Sequence, residues 1–188
     1  MDAISVIKED HRTVNELFKK FEKLGDRAAK SKRTTVDKIV RELSVHAAIE
    51  ETVLYPFIRE NIPEMKDAIL EALEEHLVAK WELAALEDME PKDERFDAKT
   101  TVLIESVRHH VREEEKEVLP QLRQNCSRAE LQELGRALLE AKKTAPTHPH
   151  PRLPDEPPAN AVTGAAGAVV DRARDLGKEA VERVRRSA

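Results

Sequence analysis

Two segments of the chain repeat one pattern of histidine, glutamate and proline. His46-Ala47-Ala48-Ile49-Glu50-Glu51 runs on to Leu54-Tyr55-Pro56, and His110-Val111-Arg112-Glu113-Glu114-Glu115 runs on to Val118-Leu119-Pro120. Each reads HxxxEE with a proline ten residues after the histidine. Glu9-Asp10-His11 and Glu74-Glu75-His76 form a second matched pair, each about 35 residues ahead of its HxxxE, an internal repeat of the order H, HxxxE, H, HxxxE. On a helix each residue turns about 100°, so a carboxylate four places after a histidine lies about 40° round on the same face, and one five places after is about 140° away. Glu50 and Glu114, rather than Glu51 and Glu115, are therefore predicted to point with His46 and His110.

Four neutral imidazoles and two carboxylates meeting inside an apolar protein are costly to bury without a partner. The simplest partner is a pair of metal ions, each taking two histidines from neighbouring helices, with Glu50 and Glu114 bridging. Nitrogen and oxygen donors without thiolate suit iron first, then manganese or zinc. A single HxxxE in a Glu-rich chain is ordinarily a solvated helix face. Here the duplication, together with His11 and His76 at matched heights, weighs against that.

Those heights depend on the elements that carry the residues. Ile4, Ile7, Val14, Leu17, Phe18, Phe21 and Leu24 recur at three- and four-residue steps, which predicts a helix over about 3–24, ended by Gly25. After the polar connector DRAAKSKR, Thr34 or Thr35 is a candidate cap for a second helix over about 35–60. Pro63 opens a third, closed by Glu90 and Pro91, and a fourth runs over about 96–124. Short connectors make the four antiparallel. At about 1.5 Å per residue the six side chains stand about 18 to 24 Å from the intervening turns, which brings them to one level.

The expected fold is thus all-α, an antiparallel up-down four-helix bundle. Ser127 with Glu130 reads as a capping box for a short fifth helix to about Lys143, so the bundle unit spans 1–143. A proline-rich stretch at 144–164 reads as a stiff, extended linker. The tail, 165–188, is amphipathic or disordered: Val169, Ala173, Leu176, Ala180 and Val184 form a stripe that could meet the bundle, an unknown partner or an anionic membrane, against the alternative of a solvated tail.

Composition agrees with helices and removes several classes of function. Of 188 residues, 40% are hydrophobic, 37% charged and only 3% aromatic. Gly25 and Gly135 are the only glycines before residue 144, so no glycine-rich phosphate loop or nucleophile elbow can be built there. Charge is mixed along the chain and sums to -5, which argues against nucleic acid as a partner. The single cysteine, Cys126, reads as a helix-end residue. With no apolar run near 20 residues and no leader-like start, the expected place is the cytoplasm, without stable membrane insertion, as monomer or homodimer.

His11, the HAAIE segment at 46–50, His76 and the HVREE segment at 110–114 together resemble the hemerythrin HHE cation-binding family, over about residues 1–143. The resemblance implies a four-helix bundle with a non-haem di-iron centre, carboxylate- and oxo- or hydroxo-bridged, that meets oxygen, peroxide or nitric oxide. The oxygen-carrying members place a further histidine four residues from the third-helix histidine, where this chain has Ala72 and Lys80, and use HxxxxD in the fourth helix, where it has HxxxE. Fewer nitrogen donors favour sensing or detoxification, with possible peroxide-consuming activity, over simple oxygen carriage. The alternatives are an iron sensor or store signalling through its tail and a bundle that the metal merely staples.

Three further residues are candidates beside the site. Tyr55, nine residues after His46, stands nominally opposite the metal face, but Pro56 loosens the helix there, so it either joins the centre or packs in the core. Lys80, one turn beyond His76, is a possible proton donor if it faces inward. His109 is turned about 100° off the site and is expected to be partly exposed. His148 and His150 read as solvated linker residues, and Trp81 as core or interface packing.

Overall fold

In a computed structural model of the chain, residues 1–154, 160, 164, 166–172, 174 and 175 are described, and all regular structure among them is helical. Helix α1, Ala3–Glu22, starts where the Asp2 side chain accepts the Ser5 backbone N–H at 2.8 Å. Helix α2, Ala29–Ile49, begins about six residues before the threonines expected to cap it. Thr34 instead bonds back to the Lys30 carbonyl and Thr35 is fully buried, while Lys32 pairs with Asp97. Arg33, in the same turn, donates to the Leu86 and Met89 carbonyls at 2.9 and 2.8 Å, which satisfies the end of a helix two elements later.

The second and fourth bundle helices are interrupted at corresponding places. α2 passes into a π-helical turn, Glu50–Leu54, before α3, Tyr55–Asn61. α5, Phe96–Glu113, passes into a second, Glu114–Val118, before α6, Leu119–Asn125. Pro56 and Pro120 explain both. Each lacks an N–H, and its ring would crowd the carbonyl four residues back, at Thr52 or Lys116. The wider turn relieves this, with Tyr55 N–H reaching Glu50 O and Leu119 N–H reaching Glu114 O. Between these halves a 3-10 turn, Pro63–Met65, leads into α4, Lys66–Glu87.

The core falls into two apolar clusters, one above and one below a polar layer. One contains Ile4, Ile7, Ile49, Leu54, Ile69, Leu73, Val118 and Leu122; the other contains Val14, Phe18, Val36, Leu43, Leu83, Leu103 and Val107. In each long helix the histidine lies between the stretches given to the two clusters: His11 between Ile7 and Val14, His46 between Leu43 and Ile49, His76 between Leu73 and Leu83, His110 between Val107 and Val118. Among the described residues no helix is long and apolar enough to cross a membrane.

The fifth helix, α7, Arg128–Lys142, carries the expected capping box, and Cys126 stands at the end of α6. Beyond α7 the chain departs from expectation. His148 is buried rather than solvated: one ring nitrogen meets Glu87, the other meets Asp175 at 3.0 Å, and the Glu87 contact raises the imidazole pKa. Asp171 accepts the backbone N–H groups of Thr147 and His148 and also pairs with His150. The tail therefore turns Ala168 and Asp171 inward and leaves Val169, the one described residue of the expected apolar stripe, 68% exposed. Ala173, Leu176, Ala180 and Val184 of that stripe lie outside the described residues. Trp81 is half exposed, with the Arg152 guanidinium 5.9 Å from its ring centre.

α7 closes on α1 through Gly135. A Cβ there would lie 2.5 Å from the Met1 carbonyl oxygen and 2.8 Å from the Ala3 nitrogen. Helix propensity alone favours Gly→Ala by about 1 kcal/mol, but overpacking against backbone costs about 1–3 kcal/mol. Gly135→Ala should therefore lower the denaturation midpoint by displacing the first turn of α1. An unchanged or higher midpoint would show that this contact yields freely.

Candidate metal centre

All six residues singled out by the repeat meet at one level of the bundle. His11 from α1, His46 from α2, Glu50 and Glu114 bring ligand atoms within 4.8 Å of one another, and so do Glu50, His76 from α4 and His110 from α5. Glu50 belongs to both groups. His11 Nε2 lies 3.0 Å from Glu114 Oε2, His46 Nε2 3.2 Å from Glu50 Oε2, and His76 Nε2 3.2 Å from His110 Nε2. All six are buried, Glu50 completely.

The set passes a test of fit to metal ions on its own geometry. His11 Nε2, His46 Nε2, Glu50 Oε1 and both Glu114 oxygens are buried without an aligned hydrogen bond, although several lie near hydrogen-bond distance of one another. Donor atoms that crowd together without pairing point at a shared centre, and orphaned polar atoms of this number are otherwise costly. Electrostatics agree at Glu50, Glu114, His46 and His76, whereas His11, despite burial that would lower it, is raised by its contacts with Glu114 and Glu115. Burial and the neighbouring Glu114 carboxylate push Glu50 well above the usual carboxyl range. Burial alone would raise Glu114 too, but its contact with His11 holds it below that range. Burial also drives the His46 imidazole down to about 4 and lowers His76, which keeps both neutral and their lone pairs available.

Around this group stands a second ring of carboxylates on the outer nitrogens of the histidines. Glu115 meets His11 Nδ1 at 2.9 Å, Glu51 meets His76 Nδ1 at 3.1 Å, and Glu75 meets His110 Nδ1 at 2.7 Å; Asp10 lies 3.7 Å from His46 Nδ1. Such a partner favours the proton on Nδ1 and turns Nε2 inward as a donor to metal. Lysines hold three of the four carboxylates in turn: Lys80 is 2.6 Å from Glu51, Lys8 is 3.8 Å from Glu115, and Lys142 pairs with Asp10. The ring obeys the internal repeat. The glutamate after each inner Glu serves the histidine of the first or third bundle helix, and the acid before each of those histidines serves the other pair.

Sequence reasoning missed this ring. Its signal is present in the doublets Asp10-His11, Glu75-His76, Glu50-Glu51 and Glu114-Glu115, of which helical angle turns Glu51 and Glu115 away from their own histidines. Of the remaining candidates, Tyr55 is brought in: its hydroxyl lies 3.4 Å from both Glu50 Oε2 and His76 Nε2, and burial keeps it protonated. The extra residue in the π turn swings it back to the site from the opposite face. Lys80 does not face the centre, because Glu51 takes its charge. His109 stays outside, 55% exposed at its side chain and 3.2 Å from Glu113.

Two cavities reach the histidines. One, of about 310 Å³, has His46, His76 and His110 in its wall with Leu43, Ala79, Leu83 and Val107. Another, of about 250 Å³, touches His11 and is bordered by Arg12, Arg108 and Arg112.

Comparison with known proteins agrees with this geometry. The family model described as hemerythrin HHE cation binding domain matches residues 2–122. An uncharacterised hemerythrin-like protein of Schizosaccharomyces pombe is 29% identical over 169 residues, 89% of this chain and 82% of that protein. A DNA nickase of Nostoc is 30% identical over 127 residues, 68% of this chain but 35% of the nickase. The crystal structure of a hemerythrin HHE cation-binding domain-containing protein from Mycobacterium kansasii superposes with a TM-score of 0.66 at 22% identity, covering 76% of this chain and 86% of that one.

The two carboxylate rings separate experimentally. Glu50→Ala and Glu114→Ala should abolish the paired centre, so that the loaded protein holds fewer ions. Glu51→Ala and Glu115→Ala should keep the full metal count and weaken affinity by about 10–100-fold, the usual effect of removing an outer partner. Metal content and competition with a chelator measure both quantities. Equal loss of metal from all four variants would contradict the inner and outer assignment.

Proposed function

The chain belongs to the hemerythrin HHE cation-binding family, and from that premise we propose that it is a non-haem di-iron protein that binds or reacts with a small oxidant, oxygen, peroxide or nitric oxide, in sensing or detoxification. The observation that carries the proposal is Glu50, fully buried and common to both donor groups. A shared carboxylate joins two ion positions and offsets part of their charge. In this reading His11, His46, Glu50 and Glu114 hold one ion, and His76, His110 and Glu50 hold the other. When bound, two ferrous ions would supply the electrons that reduce the oxidant.

The chain's own residues do the rest. Leu43, Ala79, Leu83 and Val107 give the cavity beside His46, His76 and His110 an apolar part of its wall, against which an uncharged diatomic molecule fits. Tyr55 presents the nearest proton, on a hydroxyl 3.4 Å from His76 Nε2 and Glu50 Oε2. Glu51, anchored by Lys80, fixes the orientation of His76. Lys80 thus acts as a positioning residue, and the role of proton donor passes to Tyr55.

A sensor or store remains the second reading, and one contact favours it. Asn160 donates to the Glu51 carbonyl at 3.1 Å, so the C-terminal segment touches the residue that holds His76. A change at the metals has a short path to that segment.

The site has two histidines in each donor group and a buried phenol at hand, which favours onward reduction of the oxidant over its release. The iron-loaded, reduced protein exposed to oxygen should therefore oxidise without recovering when the oxygen pressure is lowered, and should consume added peroxide. The visible spectrum followed over several cycles checks this. Full return to the reduced spectrum would establish reversible carriage instead. Loss of both behaviours, with metal-dependent protection of residues 144–154 from proteolysis, would select the sensor reading.

A further inference from the structure

His109 and Glu113 form a third HxxxE, one residue behind the His110 and Glu114 pair and on the outer side of α5. Glu75 reaches them from α4, and the three bring ligand atoms within 4.8 Å of one another. We propose that Glu75, His109 and Glu113 form an outer site for a divalent metal ion, which captures the ion on its way to the buried pair. The proposal rests on the reading of the buried residues as a metal pair.

Four observations place the site on that path. Its side chains are exposed by 55% at His109, 46% at Glu113 and 27% at Glu75, so a hydrated ion reaches them and water completes its coordination. His109 and Glu75 also line the cavity of about 310 Å³ whose inner wall carries His46, His76 and His110. Glu71 and Glu74 add carboxylates to the same lining, and its one lysine, Lys80, is engaged by Glu51. Glu75 itself bonds His110 Nδ1, so the outer cluster stands one hydrogen bond from the buried group.

The cavity at His11 is bordered by Arg12, Arg108 and Arg112, with Glu115 as its one acid. It offers no comparable run of carboxylates, although two of its arginines are themselves paired, Arg12 with Glu9 and Arg108 with Glu22. A mouth lined by one sign of charge concentrates counter-ions and raises their arrival rate by about 10–10³-fold. The acidic mouth is therefore the side from which ferrous ion arrives. One imidazole and two carboxylates make an open, three-donor site, suited to an ion that must leave again rather than to tight storage.

The test uses the metal-free full chain and cobalt(II) under anaerobic conditions, following the visible absorption of the buried ions as they load. His109→Gln with Glu113→Gln, which leaves Glu75 on His110, should slow loading by about tenfold, the lower end of the range for focused charge, while the final spectrum and the count of tightly held ions match the parent. A loading rate within about twofold of the parent would overturn the capture site and leave the buried pair intact. A parent protein that takes up no buried cobalt at all would refute the pair itself, which is a separate failure.

Discussion

Everything in this fold is arranged around the burial of four imidazoles and two carboxylates at the middle of an apolar bundle. Unpaired polar atoms in such a place cost several kcal/mol in sum, and here His46 Nε2, Glu50 Oε1 and both Glu114 oxygens lack aligned partners. The bundle accepts this because the polar atoms sit in one layer between two separate apolar clusters, each of which packs without interruption. In the proposed reading a cation pair at that layer would convert the cost into cohesion and tie together α1, α2, α4 and α5.

Orientation comes from outside the layer. Each histidine has a carboxylate toward its outer nitrogen, and three of these carboxylates are themselves fixed by lysines from α1, α4 and α7. Chains of this kind, lysine to carboxylate to imidazole to centre, keep the donors aimed before any ion arrives. The π turns at Glu50 and Glu114 belong to the same design. They place Glu50 and Glu114 at the start of a wider turn and, in one half only, bring a tyrosine to the site. In the other half Leu119 takes the place of Tyr55, so the internal repeat is broken at the position of the buried phenol.

The bundle and the convergence of all six inner residues were legible in the sequence, since both follow from helical periodicity and axial distance. The outer ring was not. A turn of about 100° per residue sends Glu51 and Glu115 away from their own histidines, which is correct, but helical angle says nothing about the histidines of neighbouring helices that they reach. The role of Pro56 was visible as loosening, yet the π turns at Pro56 and Pro120 depend on how the chain resolves a missing N–H and a steric conflict. The buried state of His148 was hidden for a similar reason: proline spacing describes a stiff segment, and only Glu87, Asp171 and Asp175, distant in sequence, decide that it docks.

The central claim, that Glu50 joins two ion positions rather than serving one, is tested most directly by the metal content of protein loaded with ferrous iron under anaerobic conditions and freed of loosely held ions. The account predicts two tightly bound ions per chain. A single ion per chain at saturation would contradict it.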